Sequence, residues 1–429
     1  MKLKLKTKVL WLSIASGLLP AVLIMVVVVL IVSMSSSAKK IVKESEEEAN
    51  RNIAGITNNL VEACTMVNVL INNKLDLSIS MMSDKIKDAG GASFSGPAIQ
   101  WQAINQVSKE SKEIALPSLK IGGINYTKTT SLSERVPIVD ELAKMHNSTF
   151  TIFQRMNQHG DLIRIATNVT TLDGKRAVGT YIPAINADGS PNAVVQAILS
   201  GREYRGTAYV VNKWYQTLYK PLTDGAGNVI GMIYTGVTLD NAVPELRESI
   251  LKTQVGETGY VYVLSGSGAR KGEYLISKDG KKDGENIFDA KDANGRLFIQ
   301  EIIEKAVAST AGEILFDSYP WQNLDEDQPR NKVVAFSYFK PFDWVIGSGV
   351  YEEEIYRAGE LAQKSTSQVI LYSILALAVA IIIMVFVSNV ISSKIAYPIT
   401  ESAKILMNLA NGNIGGAKQQ LKDLSDWYK

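Results

Sequence analysis

Residues 339–350 read FKPFDWVIGSGV, and residues 219–237 read YKPLTDGAGNVIGMIYTGV. Both run aromatic, Lys, Pro, apolar residue, turn, Val-Ile-Gly, and close on Gly-Val. The two lie about 120 residues apart, and a self-similarity at that spacing means two copies of one structural unit. Each copy has the shape of a β-hairpin. In the first the turn falls on Asp224-Gly225-Ala226-Gly227-Asn228, in the second on Pro341-Phe342-Asp343.

Outward from these hairpins, two β-rich sets emerge. The first holds FTIFQRM, DLIRIATNV, RAVGTYI, GTAYVV, WYQTLY and VIGMIYTGV, with turn signals such as DGK, ADGSPN and DGAGN between them. NAVVQAILSG is a short helix stopped by Gly201. A helix over 241–253 leads to the second set: GYVYVLS, EYLIS, EILFDSY, KVVAFSYF and DWVIGSGVY. NGRLFIQEIIEKAVAST, in between, has helical periodicity. Each set predicts one antiparallel sheet with flanking helices, an α+β unit.

Two apolar stretches bracket these units. Val9–Val32 and Val369–Val390 carry no charge, and each exceeds the roughly 20 residues that span a bilayer as a helix. The first is too long for the core of a signal peptide and reads as an uncleaved anchor. Lys2, Lys4, Lys6 and Lys8 put the N-terminus in the cytoplasm, which makes the long middle segment extracytoplasmic. After the first span, Ala49, Ile53, Ile56, Leu60, Ala63, Val67 and Leu70 alternate spacings of four and three, predicting a long helix with a coiled-coil-like seam. Cys64 lies beside that seam as a small packing residue. The helix should end near DAGGASFSGP (88–97). Residues 351–368 hold one Gly and no Pro, a continuous stiff helix into the second span.

Composition excludes several classes. A net charge of +2 over 429 residues argues against nucleic acid as the main partner. One cysteine rules out a disulfide framework, and two histidines, His146 and His159, disfavour a His-based metal site or a Ser-His-Asp hydrolase. Asp283, Asp289, Asp292 and Asn294 lack EF-hand spacing and read as a solvated loop; GSGARKG lacks the P-loop ending, and GSGV lacks the nucleophile-elbow frame. No catalytic constellation, cofactor site or metal site is evident, so the chain is not expected to be an enzyme.

The order of anchor, long helix, two modules, second anchor and short helical connector resembles a bacterial methyl-accepting chemotaxis receptor of the double Cache type. GETGYVYVLSGSGARKGEYLISKDG…KVVAFSYFKPFDWVIGSGVYEEEI is similar to type 2 Cache domains. YRGTAYVVNKWYQTLYKPLTDGAGNVIGMIYTGV is similar to type 3 domains, and KIAYPITESAKILMNLANGNI resembles the first half of a HAMP linker. The resemblance implies a fold of two tandem PAS-like (Cache) sheets behind a long N-terminal helix, between two transmembrane helices. It divides the chain into a cytoplasmic N-terminus (1–8), a first span (9–33), the long periplasmic helix (34–90), a distal module (91–240), a proximal module (241–355), a helix into the membrane (356–368), a second span (369–391) and a partial HAMP linker (392–429). It also implies an inner-membrane homodimer that senses a small organic ligand, a carboxylate by preference. Output would reach a histidine kinase and a coupling protein through a module beyond the HAMP segment. A sensor kinase or cyclase front end, or a membrane-anchored enzyme or adaptor, would share the same opening.

For the ligand, Arg202, Arg205, Lys213 and Lys220 stand among Tyr204, Tyr209, Trp214, Tyr215 and Tyr219. A guanidinium fork takes a carboxylate through two hydrogen bonds, and Tyr and Trp complete an aromatic wall. The candidate ligand residues are therefore Arg202, Tyr204, Arg205, Trp214, Tyr215 and Tyr219. In the proximal module Tyr260, Tyr262, Ser277, Tyr338 and Trp344 occupy comparable places. Type 2 domains often carry a His-Pro pair where this chain has Ile276-Ser277-Lys278, so the proximal module is expected to relay rather than bind.

Overall fold

A computed structural model of the chain describes residues 2–211, 213–239, 243–323, 326–391, 394 and 397–427. The chain divides into two units, one of Met1–Asn50 with Glu352–Lys429, the other of Arg51–Tyr351. The predicted module boundary at 240/241 and the predicted start of the linker at 392 fall outside the described residues.

The second unit carries both modules. Helix α1 (Lys2–Asp88) enters it at Arg51 and ends at Gly90 and Gly91, both at positive φ, where glycine alone is unstrained. The distal module then runs β1 (Ala92–Phe94), β2 (Ile99–Asn105), β3 (Ser111–Leu116), β4 (Leu119–Ile121), β5 (Ile124–Asn125), α2 (Val139–His146), β6 (Thr149–Arg155), β7 (Leu162–Thr167), β8 (Thr180–Ile182), α3 (Ala193–Leu199), β9 (Tyr204–Val210), β10 (Lys213–Thr223) and β11 (Val229–Thr238). The main sheet has the order β3-β2-β8-β7-β6-β11-β10-β9, and β1, β4 and β5 form a small sheet of their own. The proximal module is α4 (Pro244–Lys252), β12 (Gln254–Val255), β13 (Gly259–Ser265), β14 (Tyr274–Ile276), α5 (Phe298–Ala308), β15 (Leu315–Trp321), β16 (Arg330–Phe339) and β17 (Trp344–Tyr351). Its order is β12-β13-β17-β16-β15, with β14 on β13.

The repeated ending is the closing hairpin of each sheet, β10–β11 and β16–β17. Each turn is organised by an aspartate. Asp224 accepts from Ala226 N and Asn228 N, both at 2.9 Å. Asp343 stands in the left-handed region at φ 58, tolerable for Asp, and its carboxylate is held by Ser265 Oγ, Ser267 Oγ and Tyr338 Oη at 2.7–2.9 Å.

Two expectations change. The distal sheet is mixed, because β2 pairs β8 in parallel, and it recruits β2 and β3 from the stretch before residue 149, where no strand was expected. The buried stripe of α1 is Ile53, Thr57, Leu60, Cys64, Ile71, Leu75, Ser78, Met82 and Ile86, whereas Leu70 is 67% exposed. That stripe follows the 3.6-residue turn of a straight helix, so it drifts away from a strict heptad after two turns. Cys64 therefore sits within the seam, where burial pushes its thiol up to about 12.

The seam is clipped to the proximal sheet by buried hydroxyls. Thr57 Oγ1 bonds Ala335 O (3.1 Å) and lies 2.7 Å from Ser348 Oγ, which donates to Ile53 O (2.8 Å).

The other unit is helical. α6 (Glu352–Ile391) is unbroken for 40 residues, followed by α7 (Tyr397–Ala410) and α8 (Ile414–Trp427), packed as a pair with Tyr397 on Trp427 at 5.2 Å. α1 and α6 each hold a stretch long and apolar enough to cross a membrane.

Candidate functional site

Glycines at the closing hairpins decide where side chains can lie. On β17, a Cβ at Gly347 would meet the Tyr262 ring, and one at Gly349 would meet the Lys332 stem and Val333 O. On β11, a Cβ at Gly236 would meet the Tyr234 ring. The final Gly of each repeat thus keeps the strand bare so that a long side chain can fold down across it.

In the proximal module the side chain laid across Gly349 is Lys332, at the start of β16 and only 1% exposed. Its Nζ stands 3.3 Å from the centroid of Tyr260, 5.3 Å from that of Tyr262 and 5.9 Å from that of Tyr351. No hydrogen bond or ion pair joins the ammonium to another described residue. Burial holds its pKa well below the usual lysine value, and the charge of Lys278 pushes the same way against Glu326. The aromatic walls are fixed by Asn323, whose Oδ1 accepts from Tyr260 Oη (3.0 Å) and Trp321 Nε1 (3.2 Å) and whose Nδ2 donates to Tyr351 Oη (2.5 Å). Glu326 Oε2 in turn accepts from Asn323 N at 2.8 Å.

Beside this cage lies a cavity of about 130 Å³ lined by Tyr260, Tyr274, Trp321, Asn323, Ser277 and the lysines at 278, 281 and 282. A dry cavity of roughly 150 Å³ holds a benzene-sized molecule, so this one takes a ligand of a few heavy atoms. Lys278 Nζ lies 5.8 Å from the Tyr260 ring, and Lys282 Nζ 5.8 Å from that of Trp321. Asp283 braces the mouth by accepting from Ser277 N (2.7 Å) and Ser277 Oγ (2.8 Å), and it also pairs with Arg247. Asp292 instead caps its own turn, accepting from Asn294 N and Arg296 N, and Asp289 accepts from Gln300. Three lysines and aromatic walls thus line the cavity, and the Lys332 ammonium lies beside it against the same Tyr260 ring.

The six candidates of the distal module divide among four environments. Arg202 is exposed. Arg205, paired in register with Leu218, reaches α1, bonding Asn72 Oδ1 (2.9 Å) and Asp76. Tyr204 and Trp214 line a broad cleft of about 890 Å³ between the modules, shared with Tyr338, Phe342 and Trp344. There Thr207 Oγ1 and Gln216 Nε2 both donate to Pro341 O, at 3.0 and 2.7 Å, tying the distal strands to the proximal turn. Tyr215 and Tyr219 face away from Trp214, into the distal core with Tyr234 and α3, and Tyr204, the register partner of Tyr219, packs against that core as well as lining the cleft. The cavity thus lies in the module expected only to relay. Of its candidates, Tyr260 and Ser277 line it and Tyr262 flanks the ammonium. Lys332 was hidden by its place at a strand start, where lysine ordinarily points to solvent. The signal that betrays it is the pair of glycines in VIGSGV, which leaves room on the facing strand.

The Cache 3/Cache 2 fusion domain profile matches residues 38–364. The methyl-accepting chemotaxis protein McpP of Pseudomonas putida is 27% identical over 132 residues, 31% of this chain and 22% of its own, so the chain spans about a fifth of that relative's length. Among solved structures, the sensory domain of the Campylobacter jejuni chemoreceptor Tlp3 aligns over 73% of this chain and 99% of its own at 9% identity, TM-score 0.38. A Cache chemosensory domain described for carboxylic acid recognition aligns over 27% and 75% at 20% identity, TM-score 0.24.

Proposed function

This chain belongs to the Cache 3/Cache 2 fusion-domain family, and from that premise we propose that it is the sensing part of a transmembrane chemoreceptor that binds a small organic carboxylate in its proximal module. The observation that carries this reading is Lys332, a desolvated ammonium that makes no ion pair or hydrogen bond among the described residues and feels Glu326 only at a distance, beside a cavity of about 130 Å³. A carboxylate supplies the missing charge, and Tyr260, Tyr274 and Trp321 cover a short carbon chain. The cavity admits acids of roughly two to four carbons.

The two apolar helical stretches hold the sensor outside the cytoplasmic membrane of a bacterium, and α7 with α8 forms the start of a HAMP linker leading to a kinase-controlling module. A second copy of the chain covers the exposed Met66, Leu70 and Leu77 on the outer side of α1, giving a homodimer. Ligand shifts such a system through unequal affinity for two packings. The spatial route is short: Lys332 lies on one face of β17 across Gly349, and the adjacent Ser348 holds Ile53 and Thr57 of α1 on the other.

The test is calorimetric titration of the full chain in nanodiscs with acetate, propionate, lactate, pyruvate and succinate, using wild type and Lys332→Met. The expected result is saturable binding of at least one acid and a loss of more than about ten-fold in the variant. Absence of binding by every acid, or equal affinity in the variant, overturns the assignment.

A further inference from the structure

The cleft between the modules is several times larger than the proximal cavity, and both modules build its walls. From the distal sheet come Tyr204 and Trp214, the latter in edge contact with Tyr209 at 5.5 Å. From the proximal hairpin come Phe342 and Trp344, edge to face at 5.3 Å, and Phe339 braces Phe342 at 4.9 Å. Phe342 and Trp344 are 2% and 4% exposed, so packing from behind fixes that wall. The bonds from Thr207 Oγ1 and Gln216 Nε2 to Pro341 O cross the same cleft and hold its two sides together. A junction between two modules, with apolar walls and a few polar groups, is a preferred place for a ligand.

The charges lining the cleft do not balance. Arg247 is spent on Leu275 O (2.9 Å) and Asp283, and Arg270 on a two-bond pair with Glu273 (3.0 and 2.6 Å). Asp343 is the one carboxylate among the lining residues, and Ser265, Ser267 and Tyr338 hold it in the turn. That leaves Lys213 and Lys340, one from each module and both exposed, whose ammonium groups make no hydrogen bond or ion pair among the described residues. A lone exposed lysine asks for nothing, since water satisfies it. Two of them beside aromatic walls favour a molecule with a flat apolar body and an anionic end. The cleft, at about 890 Å³, has room for such a body. The proximal cavity, at about 130 Å³, does not, because benzene alone fills roughly 150 Å³.

We propose that the intermodule cleft is a second ligand site, separate from the Lys332 cavity, and that it takes an aromatic carboxylate of fused-ring size. The ring lies against Tyr204 and Trp214 on the distal side and Phe342 and Trp344 on the proximal side. Lys213 and Lys340 supply the positive field for its carboxylate. A molecule in this place touches both modules at once, so its binding favours the intermodule packing that closes on it. The same sensor would then answer to short acids in one module and to larger aromatic acids at the junction.

The experiment is calorimetric titration of the full chain in nanodiscs at fixed ionic strength, with empty nanodiscs as the baseline for partition into lipid. The probes are 2-naphthoate, its neutral amide 2-naphthamide, and decahydronaphthalene-2-carboxylate, which keeps the charge but has no π face. The expected result is saturable binding of one 2-naphthoate, with each of the other two at least about five-fold weaker. Lys213→Ala and Lys340→Ala together, at two exposed positions, should weaken 2-naphthoate at least about ten-fold. Excess acetate should not displace it, and Lys332→Met should leave its affinity within about two-fold. No saturable binding above the baseline overturns the proposal. So does equal affinity for either comparison compound, or unchanged affinity in K213A/K340A. Displacement by acetate, or a ten-fold loss in K332M protein of native circular dichroism, puts the ring in the proximal cavity and overturns a separate site.

Discussion

Replacing Gly349 by alanine tests whether the bare strand positions the proximal ammonium. The added Cβ would press on Lys332 Cε and stand 3.2 Å from Lys332 Cγ and 3.2 Å from Val333 O. Restoring ordinary carbon–carbon separation requires Cε to retreat by about 1 Å, in a side chain already 1% exposed. Overpacking of this kind costs about 1–3 kcal/mol. Displacing Nζ from 3.3 Å above Tyr260 forfeits a desolvated cation–π contact of about 2 kcal/mol. Alanine in a strand regains about 0.5–1 kcal/mol of chain entropy. Net destabilisation of about 2–4.5 kcal/mol follows, together with a carboxylate affinity lowered about thirty-fold if the lost contact is the one ligand binding depends on. Urea unfolding gives the first quantity and calorimetry the second. Lys332→Ala removes the stem that the new methyl strikes, so adding Gly349→Ala to that variant should cost little. The double-mutant cycle should show a coupling of more than about 1 kcal/mol. Additive effects, or a Gly349→Ala protein with native stability and affinity, would refute the reasoning.

Further outcomes follow from the same geometry. Lys332 has its folded pKa depressed below the unfolded value of 10.5, so the unfolded chain binds more protons in that window and stability should rise with pH through it; Lys332→Met should lack this rise in pH-dependent urea midpoints. Carboxylate binding favours the charged ammonium, so affinity should fall with rising pH and binding should take up a proton, visible as a dependence of calorimetric heat on buffer ionisation enthalpy. Thr57→Val removes the hydroxyl shared by Ala335 O and Ser348 and should lower stability by about 1–2 kcal/mol, measured by urea unfolding. Arg205→Ala breaks a partly exposed pair with Asp76 and should cost less than about 1 kcal/mol while leaving carboxylate affinity within two-fold.

The fold was largely legible because its signals are local. Alternating strands, Gly-rich turns, the helix from Phe298 to Ala308 and the paired hairpins all appear in short windows of sequence. Strands β2 and β3 were not, because Gln100, Gln102, Lys112 and Glu113 give them a polar surface and the pairing of β2 with β8 spans about 75 residues. The site was less legible for a related reason. Lys332 resembles an ordinary strand cation in sequence, and only tertiary packing turns it inward. Trp214, Tyr215 and Tyr219 stand close together in the sequence, but neighbours on a strand alternate faces, so adjacent aromatics line the intermodule cleft and the distal core separately.

A strand kept bare by glycine has an evolutionary consequence. At Gly236 the space is filled by a tyrosine from the same strand, at Gly347 by a tyrosine from β13, and at Gly349 by a lysine from β16. The backbone is identical in plan at all three, so the incoming group can be exchanged without shifting register or turn. Each copy can therefore carry its own chemistry through single substitutions at the position that fills the bare strand. The chemistry presented at each hairpin can thus change while the frame that carries it stays fixed.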